Sequence, residues 1–204
     1  MKAYLKSGHI IDWQHPDVMT QARVLADDSC DDIEITRRCF EFVRDTIDHS
    51  GDARRDDPAC KASEVLKQGT GWCYAKSHLL AALLRARQIP AGLCYQRLTV
   101  EGDHAPFCLH GLNAVYLKKH GWYRLDARGN KHGVTASFSP PQEALAFPIR
   151  HPGEADINGI FAEPLAIITE TLQNRRTYSE VKDNLPDIEL WSASATPNEV
   201  HREN

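Results

Sequence analysis

Gly69-Thr70-Gly71-Trp72-Cys73-Tyr74-Ala75-Lys76-Ser77-His78-Leu79-Leu80-Ala81-Ala82-Leu83-Leu84-Arg85-Ala86-Arg87 is the stretch around which the rest of the chain arranges itself. Beyond the first turn, apolar residues cover most of the circumference, so a helix over Cys73–Arg87 should be buried. It must stop before Ile89-Pro90, because a residue that precedes proline avoids helical backbone angles. Gly69 and Gly71 allow a tight entry and let another backbone come close. Cys73 therefore opens a buried helix, where unpartnered N–H groups and the helix dipole favour a negative charge.

Downstream the apolar pattern changes to that of strands. Leu93–Val100 is rich in strand formers, a Gly-Asp-His loop follows, and Leu109–Leu117 and Trp122–Ala127 read as two further strands joined by Lys118-Lys119-His120-Gly121. Upstream, Pro16–Ala26 and Ile33–Ile47 read as helices, the second capped by Asp31 or Asp32 and carrying Ile35, Cys39, Phe42 and Val43 at helical spacing. Met1–Ile11 alternates weakly and reads as a short strand. Asp48–Pro58 reads as a charged loop, and Glu64–Gln68 as a short helical turn. Pro140–Pro164 is broken by proline and glycine and yields no assignment. Leu165–Asn174 reads as a helix, Ser179 as the cap of another, and the tail from Ser192 as disordered. Helices first and antiparallel strands afterwards predict an α+β fold, with the Cys73 helix packed on the sheet. Residues 1–191 are expected to form one domain, with a motif-bearing core over 62–127.

Composition narrows the function. The 204 residues are 42% hydrophobic and 25% charged, with a net charge of −4. Basic residues are scattered, and Arg54-Arg55 is followed at once by Asp56-Asp57, so no nucleic-acid or anionic-membrane footprint is expected. The apolar run Leu79–Leu84 is too short to span a bilayer, and charges interrupt the N-terminus where a signal peptide would be apolar. A cytoplasmic location follows, with Cys30, Cys39, Cys60, Cys73, Cys94 and Cys108 reduced. No Cys-x-x-Cys pair suggests structural zinc, and no cofactor or metal is expected.

A thiol, then His110, then Asp126, each at the end of a regular element, supply the parts of an activated cysteine nucleophile. If the hairpin is centred on Lys118, Asp126 lies opposite His110 on one face and can orient its ring toward Cys73. A tighter turn at His120-Gly121 would slide the two apart. The competitors are weaker. His78 lies five residues along the helix, well away from the face of the thiol. His104 and His120 sit in loops, and Cys108 lacks a helix start to ionise it. The Cys73 amide can donate to an oxyanion, and Gln68 is the candidate for the second donor.

Gly71-Trp72-Cys73, with Ala75 and Leu79–Arg85, then Ile89-Pro90-Ala91, His110–Leu117 and Gly121–Asp126, resemble the transglutaminase-like superfamily and its papain-like core. The resemblance covers about 62–127, and Phe40–Asp45 more loosely. It implies Cys73 as nucleophile, His110 as general base and acid, and Asp126 as orienter. The chain departs from the family at Leu112, where an aromatic is usual, and at Ala127-Arg128, where Pro-Thr often stands. Neither change removes a reacting group. The favoured function is a cysteine hydrolase acting on a peptide or other amide bond through a thioester. The alternatives are a transglutaminase-type acyl transferase and a silent binding or assembly module. An arylamine acetyltransferase shares the chemistry, but no segment here suits coenzyme A.

Overall fold

The computed structural model describes residues 1–26 and 30–190, and the tail expected from Ser192 lies outside them. The chain enters through a 3₁₀ turn, Lys2–Leu5, rather than the expected strand. Its groups are used as anchors instead of in a ladder: the Tyr4 hydroxyl donates to Ile160 O, and Leu5 O accepts from Trp13 Nε1. Helix α1 (Pro16–Leu25) has proline at its first position, where a missing N–H costs nothing. Helix α2 (Asp32–Thr46) starts at Asp31, whose carboxylate accepts from Glu34 N at 2.8 Å.

The expected loop after α2 contains a two-residue strand, β1 (Asp48–His49), and a single turn, α3 (Ser50–Ala53). Helix α4 (Ala62–Gln68) ends at Gly69, whose φ of 66° is the left-handed cap that glycine adopts without strain. Strand β2 (Thr70–Gly71) then pairs in parallel with β1, His49 beside Gly71, and leads straight into α5 (Cys73–Ala86).

Strands β3 (Ala91–Thr99), β4 (Phe107–Leu117) and β5 (Gly121–Leu125) form the antiparallel core of the sheet. A small hairpin, β6 (Ser137–Ser139) with β7 (Gln142–Ala144), follows. Strand β8 (Ala155–Asp156) completes the order β5-β4-β3-β8. Helices α6 (Ala166–Gln173) and α7 (Tyr178–Lys182) close the described chain. The cap of α7 is Thr177, not Ser179: its hydroxyl accepts from Glu180 N while Glu180 reaches back to Thr177 N.

The fold is mixed α+β, with α5 between the β3–β4 face and helices α1, α2 and α4. All but the last of its residues are buried, as its apolar circumference requires. Arg85 is the largest of these side chains, and its guanidinium donates to Ala91 O, Lys6 O and Ala162 O. A buried cation is tolerated because carbonyl oxygens replace its lost water.

Candidate active site

The first turn of α5 rests directly on β4. A Cβ on Gly111 would come within 3.0 Å of the Tyr74 Cα, so only glycine lets the helix start approach this closely. His110, the preceding residue of β4, is buried, and it lines with Cys73 a cleft of about 330 Å³. His110 Nε2 lies 2.7 Å from Asp126 Oδ2. The ring is covered edge-on by Phe147 at 5.0 Å between centroids.

The hairpin does not have the expected centre. Leu117 pairs with Gly121, so the turn is centred one residue later, at Lys119, and the ladder continued would set Asp126 level with Leu112. Strand β5 ends at Leu125, however, and Asp126 reaches His110 from the bend beyond the ladder. Backbone donors secure it there: Ala146 N to Oδ2 and Arg128 N to Oδ1, both at 3.1 Å.

These contacts set the charges. Burial alone would lower the pKa of His110. The charge of Asp126, the Cys73 sulfur beside the ring and hydrogen bonds to both outweigh it and hold the pKa up at about 10. Burial would likewise raise Asp126, but His110 and the two backbone N–H groups bring it below the usual carboxylate range. Cys108 also lines the cleft, and burial pushes its thiol up to about 12. An imidazolium held against a carboxylate beside a helix-start thiol can stabilise a thiolate and later give a proton to a leaving group.

Gln68 is placed elsewhere. It is exposed at the end of α4 and lines a different depression, with Glu64 and Arg176, rather than the Cys73 cleft. His49, Arg128 and Phe147 line the cleft and were missed by sequence reasoning. Arg128 donates to Asp52 at 2.6 and 2.9 Å, and Lys131 joins the same carboxylate at 2.7 Å. The two-residue pairing of β1 with β2 has no periodicity to reveal it. Phe147 lies in the proline-broken region. Among the described residues, no group of three or more His, Cys, Asp or Glu is placed to hold a metal ion. No helix among them is long and apolar enough to cross a membrane.

Comparison with known families bears on more than half of the chain. The model of the transglutaminase-like superfamily matches residues 20–127, which contain Cys73, His110 and Asp126. The chain belongs to the transglutaminase-like superfamily. Among solved structures it is similar to a candidate cysteine protease from Cytophaga hutchinsonii, at 16% identity and a TM-score of 0.49, over 61% of this chain and 40% of the other. It is similar to the periplasmic domain of TgpA from Pseudomonas aeruginosa, at 14% and 0.45, over 61% and 45%. A third is a candidate protease from Parabacteroides distasonis, at 15% and 0.43, over 72% and 30%. This transglutaminase-like chain thus matches less than half the length of each. No curated protein matches it.

Proposed function

We propose that this transglutaminase-like protein is a cysteine hydrolase that cleaves a peptide or other amide bond. The observation that carries the reading is the buried His110–Asp126 pair in the same cleft as the thiol that opens α5. The Cys73 thiolate attacks the amide carbonyl, and the oxyanion is met by the Cys73 N–H, which the first helical turn leaves unpartnered. His110 gives its proton to the departing amine, leaving an acyl thioester on Cys73. The neutral ring then takes a proton from water, which attacks the thioester and releases the acid. Asp126 stays ionised throughout and holds the ring in place.

The test is a panel of N-acetyl peptide amides followed by mass spectrometry. Cleavage to the free acid, with a thioester trapped on Cys73 and no product from Cys73→Ala, is expected. Absence of cleavage across the panel, or full activity in Cys73→Ala, would overturn the reading.

A further inference from the structure

Beside the Cys73 cleft lies a second imidazole that the mechanism above does not use. The pairing of β1 with β2 sets His49 next to Gly71, two residues ahead of the nucleophile. Its ring meets Trp72 edge-on at 5.7 Å, and its side chain is 10% exposed. The Nδ1–Cε1 edge is closed by the following turn: a Cβ on Gly51 would lie 3.1 Å from Nδ1 and 2.9 Å from Cε1. Nδ1 is sealed and has no hydrogen-bond partner. The nearest carboxylate oxygen, Asp52 Oδ2, is 4.0 Å away, and Asp52 is already engaged by Arg128 and Lys131. Nε2 is not sealed in this way, and His49 lines the cleft with Cys73 and His110 as well as a depression shared with Asp52 and Lys76.

Burial, with the charges of Arg128, Lys76 and His110 opposed by Asp52, keeps this ring neutral. A neutral imidazole carries one N–H, and its two sites here are unequal. A proton on Nδ1 would be a sealed donor without an acceptor, which is costly. A proton on Nε2 escapes that cost, and in the Cys73 cleft a substrate oxygen can accept it.

We propose that His49 is a catalytic residue, donating its Nε2–H to the oxyanion of the tetrahedral intermediate opposite the Cys73 N–H. It fills the place for which the exposed Gln68 is unsuited. The imidazole keeps its proton throughout and supplies only a fixed dipole where charge develops, which is the most effective arrangement for such a donor. The inference rests on Cys73 being an acylated nucleophile, and its test separates the two ideas.

Wild type, His49→Phe and His49→Gln would be compared after matching circular dichroism and Tm, using three readouts. The first is kcat on an amide that wild type cleaves. The second is inhibition by a panel of N-acetyl dipeptide aldehydes, whose carbonyl carbon bonds to sulfur and whose oxygen then occupies the oxyanion site. The third is alkylation by iodoacetamide, in which sulfur displaces iodide and no oxyanion forms. His49→Phe should lose about 100-fold in kcat, a similar factor in aldehyde affinity, and no more than about twofold in alkylation rate. His49→Gln, which restores an N–H donor, should recover about tenfold of the loss. Unchanged kcat and aldehyde affinity in both variants, or a parallel loss of alkylation, would overturn the role of His49. If wild type is alkylated at Cys73 but neither cleaves an amide nor binds any aldehyde, the hydrolase reading falls and His49 loses its role with it.

Discussion

Both oxygens of Asp126 accept hydrogen bonds, from the imidazole and from two backbone N–H groups, which hold the carboxylate in one orientation. Its charge is what keeps a proton on His110 far into the alkaline range. Amide cleavage that depends on His110 as acid should therefore hold its rate until the imidazolium titrates, with a basic limb near pH 10. Asp126→Asn should lower kcat by about 10³-fold and bring that limb down toward an ordinary imidazole value near 6.5. A pH–rate profile of the two enzymes measures both effects, and an unmoved limb would detach Asp126 from His110. The same pair should make Cys73 the first of the six thiols to react with limiting iodoacetamide. Burial raises Cys39, Cys60 and Cys108 to about 12 and Cys94 to about 11. Peptide mapping of the native protein checks the order.

At the scale of elements, the placement of the site depends on how closely α5 and β4 approach. Gly111→Val would drive its side chain into the backbone and ring of Tyr74, neither of which can move without moving the helix start. A fall in activity of at least about tenfold is expected, since small displacements of reacting groups cost rate steeply. The accompanying loss of stability should be about 1–3 kcal/mol, as for other overpacked sites. Kinetics and urea unfolding would separate the two. The α5 helix and the three long strands were legible because burial imposes a period on them: Leu79 to Leu84 and Leu109 to Leu117 report their environment residue by residue. Their ends were less so. Strand β4 begins two residues earlier than expected, and the centre of its turn moved by one, because no side chain pattern distinguishes Lys118 from Lys119 in an exposed turn. The Cys73, His110 and Asp126 positions could be read from the chain, whereas Ala146, Phe147 and His49 could not. Their contribution comes from contacts across long separations, through a backbone N–H, a ring edge and a two-residue pairing, and none of these imposes a local pattern.

For the whole molecule, buried titratable groups shape the dependence of stability on pH. The folded pKa of His110 is raised, so its stabilisation is complete below about 6.5 and lost as pH rises through about 10. Asp126 is lowered, so its contribution is present above about 4 and lost as pH falls below that. His78 is held down to about 4 by burial, which costs stability as pH falls from about 6.5 to about 4. Lys76, depressed to about 8 by burial, favours the folded state as pH rises above that value, partly offsetting His110. Urea midpoints should therefore be highest at about pH 6.5, fall steeply on the acid side and decline as pH rises from there toward about 8, above which Lys76 offsets the loss from His110. His78→Gln should flatten that acid limb between about pH 6.5 and 4.

Arg85 carries a further consequence. Two of the three carbonyls that hold its guanidinium, Lys6 O and Ala162 O, lie outside residues 20–127, as does the Ala146 N–H that pins Asp126. The unit by which ancestry is recognised is thus smaller than the unit that can satisfy its own buried charges. A fragment confined to 20–127 should expose hydrophobic dye-binding surface and lack a cooperative unfolding transition. Exchange of this segment between relatives should succeed only when its two flanks travel with it, so that heredity here acts on a core together with the chain that encloses it.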